Sequence, residues 1–285
     1  MNRAIAMRLI CAFPLVALIA ACASMSDPKP TGVERMYVLY CGEGTAADRS
    51  RWSPGVNVGE PITLSNSCYL IKHAKGWMLW ETGFAESIAS MSEFATPVLT
   101  WRWKNPKTLS AQLAEIGVAP NDIAYLGFSH AHPDHVGNGG LFPAATLYIQ
   151  EAEYDFYIGP KGKPPVAPAN WEKLRSNPVV KLHGDYDVFG DGSVRILSSP
   201  GHTPGHQSLL VTLPRGGPVL LTGDAAHFKD NWDHRRAPIQ NFDREQTVKS
   251  MDKLDAVAAQ NKAQIWINHD PEQTAKLRKA PAYID

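Results

Sequence analysis

Neither sign of charge is in excess in this chain: 28 Lys and Arg residues offset 28 Asp and Glu residues, and the formal net charge is zero. No basic bias is available to meet a polyanion, so no nucleic-acid partner is expected. Cysteine is scarce, with 4 in 285 residues, which excludes a small scaffold built on disulfides. No internal repeat appears, which excludes a solenoid or propeller. Long hydrophobic runs are missing except for one at residues 9–21, too short to span a membrane as a mature helix. What remains is the composition of an ordinary globular protein, 44% hydrophobic and 20% charged. The length suits one large core in a single domain.

The apolar run is preceded by Arg3 and Arg8 and ends at Cys22, the pattern of an export signal. Ile19-Ala20-Ala21-Cys22 resembles a bacterial lipobox, in which the cysteine becomes the lipidated first residue of the mature chain. We therefore read residues 1–21 as a lipoprotein signal peptide, 22–33 as a tether and 34–285 as the folded domain. Ala23, rather than Asp, follows the cysteine and resembles the outer-membrane sorting choice, so the expected location is the outer membrane facing the periplasm. In that oxidising compartment a disulfide between Cys41 and Cys68 becomes possible. Sequence supplies no geometry for it, and the expectation is that each is a small buried hydrophobe on a strand.

Short apolar runs rich in β-branched and aromatic residues predict strands at 36–40, 68–72 and 77–80, the last two forming a hairpin about Gly76. Leu109, Leu113 and Ile116 recur at helical spacing and stop at Gly117, predicting a helix over 109–116. Further strands are read at 123–128, 147–150, 194–197, 208–213, 219–221 and 265–267. Helices are read at 151–157 and, amphipathic through Val248, Met251, Leu254 and Ala258, at 244–259. Residues 159–169, with four prolines and two glycines, read as a surface excursion. Strands come first and helices are interleaved later, so the fold class is α/β or α+β, a layered sandwich.

The chemistry concentrates in Ser129-His130-Ala131-His132-Pro133-Asp134-His135, directly after the buried strand at 123–128. A strand end followed by a tight loop can aim His130 and His132 to one side and turn Asp134 and His135 toward a neighbouring point. Imidazole and carboxylate are the ligands zinc accepts. His202, Asp224 and His269 each stand just past another apolar strand, and sites in layered α/β sheets gather at one end of the strands. Seven such ligands suit two metals.

This ordered set resembles the metallo-β-lactamase superfamily over nearly the whole mature chain, which implies an αββα sandwich. By that resemblance His130, His132 and His202 would hold a first zinc ion, Asp134, His135 and His269 a second, and Asp224 would bridge them. Zinc β-lactamases generally have cysteine or serine where Asp224 stands, which argues against antibiotic hydrolysis. The segments 201–208 and 268–273 are similar to those of bacterial N-acyl-homoserine lactonases. The expected substrate is therefore a small acyl lactone, opened by a metal-bridging hydroxide, with quorum-signal degradation as the role. His227, or a water held by Asp134, would protonate the departing alkoxide.

Two departures from the family pattern stand out. His227 occupies the place where many of these lactonases have tyrosine; it can donate one hydrogen bond or be a spectator. Glu81-Thr82-Gly83 replaces the usual Asp-Thr-Gly, and only altered contacts around the ligands are expected from it. His206 is expected to pack behind the ligands, and His73, His183 and His234 to lie on the surface. Trp101 and Trp103, residues 154–157, and Trp232 are candidates for an apolar wall beside the metals, with core packing as the alternative. A thioesterase of the glyoxalase II type shares the ligand set. Only residues 270–285 follow His269, short for the basic helical domain such enzymes usually carry.

Overall fold

The computed structural model describes residues 1, 32–91, 93–103, 107–163 and 171–285. The expected signal peptide beyond its first residue, Cys22, nearly all of the expected tether and residues 164–169 of the surface excursion lie outside the described residues. Val33, read from sequence as the end of the tether, is instead buried in the first strand.

In chain order the elements are β1 (Val33–Ala46), β2 (Ile62–His73), β3 (Gly76–Trp80), β4 (Phe94–Ala95), β5 (Thr100–Arg102), α1 (Leu109–Ile116) and β6 (Ile123–Gly127). Then come α2 (Pro133–Val136), β7 (Thr146–Gln150), α3 (Glu151–Glu153), which runs on as a π turn over Tyr154–Ile158, β8 (Val179–Leu182), β9 (Tyr186–Asp187) and β10 (Val194–Ser198). The last are β11 (Gln207–Leu213), β12 (Gly217–Leu221), α4 (Lys229–His234), α5 (Arg244–Asn261), β13 (Gln264–Trp266) and α6 (Pro271–Thr274). One sheet has the order β4-β5-β1-β2-β3-β6-β7-β8 and the other β13-β12-β11-β10-β9.

Side-chain alternation along these strands makes four layers. On β1, β2 and β3, Val38, Tyr69, Ile71, Met78 and Trp80 meet Ile196, Leu209, Val211, Val219 and Leu221 of the second sheet. Their neighbours Leu39, Leu70 and Leu79 point the other way, toward Leu109 and Leu113 of α1. On the second sheet Leu197, Leu210 and Leu220 turn outward to Met251, Leu254 and Ala258 of α5. A period of two buries both faces of both sheets, and the architecture is the expected αββα sandwich.

Helix α1 has the bounds the sequence predicts. Thr108 caps it by accepting from Ala111 N–H, and Gly117 ends it at φ +80°, which a side chain would resist. The strands run longer than their apolar cores, β1 most of all, because its ladder with β2 continues past a register shift between Tyr40 and Glu43. Cys41 lies in that shift, and it forms a disulfide with Cys68, the Cα atoms 5.9 Å apart. This corrects the expectation of two separate thiols: both are buried strand residues, but the bulge brings them side by side.

Candidate metal centre

Strands β6, β12 and β13 end at the same edge of the sandwich, and the start of β2 reaches it from the opposite direction. The loops that follow β6, β10, β12 and β13 carry His130 to His135, His202, Asp224 and His269 to one point. All seven expected ligands come together there in four clusters of three, linked in a chain through His135, His130, His202 and Asp224, and the fourth cluster also takes in His227; within each cluster the ligand atoms lie within 4.8 Å of one another.

Asp224 divides the site. Its Oδ2 lies 3.8 Å from His130 Nε2 and 3.3 Å from His202 Nε2, while Oδ1 lies 3.3 Å from His135 Nε2 and 3.0 Å from His269 Nε2. On the first side His132 Nδ1 is 2.8 Å from His130 Nε2 and 3.1 Å from His202 Nε2. On the second, Asp134 Oδ2 is 3.6 Å from His135 Nε2 and 3.5 Å from His269 Nε2. Donors roughly 2.0–2.2 Å from a shared tetrahedral ion stand about 3.3–3.6 Å apart, so the spacing suits one ion on each side of Asp224.

The imidazoles are oriented from behind. His202 Nδ1 meets Asn241 Oδ1 at 2.9 Å, and the Asn241 amide is fixed by donating to Thr247 Oγ1. His269 Nδ1 meets the Ser65 carbonyl at 2.7 Å, His135 Nδ1 meets Glu81 Oε2 at 3.1 Å and His130 Nδ1 meets Ser129 Oγ at 2.9 Å. Each contact leaves Nε2 facing the centre, the arrangement in which an imidazole serves as a ligand. His135 Nε2 and Asp224 Oδ1 are buried and have no hydrogen-bond partner, which in a folded interior calls for a further group. Burial, with the neighbouring imidazoles, holds His130 and His202 well below the usual histidine range, and burial brings His132 down to about 4. Burial acts against ionisation of Asp224, but His269, His227 and His135 outweigh it and hold the carboxyl well below its usual range. At His135 and His269 burial is outweighed by neighbouring carboxylates, Glu81 and Asp224 for the one and Asp224 and Asp134 for the other, and both imidazoles are raised. Imidazoles gathered around carboxylates are the donor set a divalent pair fits, and a bound cation would displace those protons.

Five residues stand behind the expected ligands. His206 Nε2 accepts the Asp224 N–H at 3.0 Å, so it positions Asp224 as its place near His202 suggests. Glu81, in the left-handed region at φ +65°, accepts Ser129 N–H and faces His135; the longer carboxylate still supports the ligands. Glu153 is fully buried and accepts N–H groups from Ala131 (2.8 Å) and Gly205 (3.0 Å), joining the His132 and His202 loops. Burial pushes its carboxyl up to about 7 against those N–H groups. Asn268 accepts Ser67 N–H and donates to Asn66, whose own amide donates to the Asp134 carbonyl. Glu153, Asn66 and Asn268 carry no sequence signal, since their partners lie far along the chain.

A cavity of about 190 Å³ opens beside Asp224 and is lined by Trp52, Leu64, Val98, Leu99, Trp101 and His227 together with ligands of both sides. Trp101 thus belongs to the wall, whereas Trp103 and Trp232 are core residues; Tyr157 stands 6.0 Å from His132. Trp52 was not singled out in the sequence. His227 Nε2 is 3.0 Å from Asp224 Oδ2, and its ring lies over His269. His183 and His234 are exposed as expected. His73 is not: it is buried, stacked on Phe189 with ring centroids 3.7 Å apart and bonded to Asp191, a setting supplied by residues more than a hundred positions away.

Fold and site define a class, and the chain belongs to it: the metallo-β-lactamase superfamily pattern matches residues 62–259. Among curated proteins the chain is 33% identical over 237 residues to the N-acyl homoserine lactonase AttM of Azorhizobium caulinodans, covering 76% of this chain and 86% of that protein. It is 31% identical over 262 residues to an N-acyl homoserine lactonase of a Bacillus species, covering 88% of this chain and 99% of the other. A solved N-acyl homoserine lactone hydrolase with N-hexanoyl-L-homoserine bound at its catalytic metal centre superimposes with a TM-score of 0.77. It is 29% identical and covers 89% of this chain and 100% of its own.

Proposed function

We propose that the protein is a dinuclear metallohydrolase, with zinc as its metal, that opens the ring of N-acyl-homoserine lactones. The observation that carries this reading is the division of Asp224, one oxygen facing the His130 and His202 imidazoles and the other facing His135 and His269, beside an apolar cavity. His130, His132 and His202 would hold one ion, Asp134, His135 and His269 the other, with Asp224 shared. When bound, the pair would supply Lewis acidity toward the lactone carbonyl and a water acidified enough to attack it near neutral pH. The similarity to lactonases over most of the chain supports the substrate class.

The chain's own residues do the rest. Trp52, Leu64, Val98, Leu99 and Trp101 would receive the acyl chain and exclude water from it. Asp134, which lines the cavity, would hold a water, and His227 would hold a proton at Nε2 for the alkoxide that leaves as the ring opens. The atoms balance: water adds across the acyl–oxygen bond and a hydroxy acid results.

The test is metal analysis coupled to a panel of an acyl-homoserine lactone, a thioester and a penicillin. Two ions per chain and selective lactone opening are expected. Asp224→Ala should lose much of the second ion and reduce turnover by at least about 10²-fold. Efficient thioester or penicillin cleavage with no lactone opening would overturn the substrate assignment. Full turnover by Asp224→Ala would overturn the two-metal reading. Export as a lipoprotein to the outer membrane, held through Cys22, is part of the same proposal, and a buried disulfide accords with an oxidising compartment.

A further inference from the structure

We propose that the Cys41–Cys68 disulfide is a positioning element for one half of the centre, the Asp134, His135 and His269 half. The inference rests on the two-metal reading above.

Each cysteine sits in a different support of that half. Cys68 ends the β2 segment in which Ser65 accepts His269 Nδ1 at its carbonyl, Asn66 donates to the Asp134 carbonyl at 2.6 Å, and Ser67 N–H donates to Asn268 Oδ1. That segment thus grips Asp134 directly and His269 from both sides, since Ser65 N–H also donates to the His269 carbonyl. Cys41 lies in the β1 bulge, where the ladder to β2 is interrupted. Its carbonyl, released from the ladder, accepts Phe84 N–H at 3.2 Å. Its side chain packs on Gly83, where a Cβ would stand 2.4 Å from Cys41 Cβ. The loop held in this way carries Glu81, which faces His135 Nδ1, and Thr82, whose N–H and Oγ1 both donate to the His135 carbonyl.

The crosslink therefore joins the support of His135 to the support of Asp134 and His269, at the place where backbone pairing between β1 and β2 lapses. His132 and His202, by contrast, are steadied by Glu153 and Asn241. In that half only His130 shares a support with the Cys41 loop, through Ser129, whose N–H Glu81 accepts and whose Oγ meets both His130 Nδ1 and His135 Nδ1. Both cysteines are fully buried, so the bond acts as a fixed strut within the fold. Its loss should loosen one ion and spare the other, which a general loss of stability would not do.

The experiment is a Co²⁺ titration of metal-stripped full-length protein against a competing chelator, following the visible absorption of each site. Wild type, Cys41→Ala/Cys68→Ala and the disulfide-retaining Asn268→Ala are compared. In both variants we expect one ion bound as in wild type and the other weakened at least about tenfold, the range seen when outer partners of ligands are removed. Equal weakening of both ions, or no change in either, in the variants would overturn the inference while leaving the two-metal reading intact. Should the double variant fail to fold, Asn268→Ala decides on the same outcomes for the support, and a thiol titration of the denatured full-length chain before and after reduction decides whether Cys41 and Cys68 are joined: the two thiols of Cys11 and Cys22 before reduction and four after it are expected, and four before reduction would overturn it. A wild-type protein that binds a single ion would overturn the inference together with the reading beneath it.

Discussion

At the scale of single residues, His227, which stands where the resemblance leads to an expectation of tyrosine, has the sharpest consequence. Burial, opposed by Asp224, lowers the His227 pKa, so the ring is neutral and carries one proton to donate. Its Nε2 faces the same Asp224 oxygen as His202 does, which leaves two roles in competition: proton donor or extra ligand. We expect His227→Ala to reduce turnover by about 10²-fold with both metals retained, the loss typical of a general acid. Loss of a metal in that variant, read by elemental analysis, would make the residue a ligand instead. Leu99 sets a second expectation, because it is one of the apolar side chains that line the cavity. Truncation to Ala removes apolar wall worth about 1.5 kcal/mol, so the preference for a decanoyl over a butanoyl lactone in kcat/KM should fall by about tenfold. An unchanged ratio would place the acyl chain elsewhere.

Elements deliver these residues through turns that tolerate no side chain. Gly223 joins β12 to Asp224 at φ +54°, and a Cβ there would stand 2.4 Å from Ser129 Cβ and 2.8 Å from His206 Nε2. Gly223→Ala therefore combines a left-handed backbone with overpacking and should cost about 2–4 kcal/mol. It should also move Asp224, so thermal unfolding and metal content are expected to fall together; a wild-type midpoint would refute the packing argument. Such turns explain what was legible. His130 to His135, His202, Asp224 and His269 could be read because each follows an apolar strand, and strand ends on one edge converge. Their outer partners could not: Glu153 reaches Ala131 and Gly205, and Asn268 reaches Asn66, only after distant segments have packed. The disulfide was hidden for a related reason, since alternation gives the face a cysteine occupies but not the bulge after Tyr40 in which Cys41 comes within 5.9 Å of Cys68, Cα to Cα, although the register partner of Cys68 is Leu39. His73 shows the same limit, because nothing local announces Phe189 and Asp191.

The whole molecule is polar from end to end, and β1 is the rod that shows it. The strand leaves Gly32 and Val33 beside His73 and Asp191 and finishes at Ala46, which packs with Trp52 and Leu64 at the cavity. Its 14 residues at roughly 3.3 Å each span about 45 Å. The start of β1 and the mouth of the candidate site therefore lie at opposite ends of one strand. If Cys22 carries lipid, the attachment is made where no ligand, outer partner or cavity residue is found among the described residues. Anchoring and catalysis should then separate cleanly. Cys22→Ala is expected to abolish membrane retention, measured by fractionation and by mass spectrometry of the amino terminus, while kcat/KM for a water-soluble short-chain lactone stays within about twofold of wild type. A variant that remains membrane-bound would refute the anchor, and one that is released but disabled would show that the tether reaches into the working end after all.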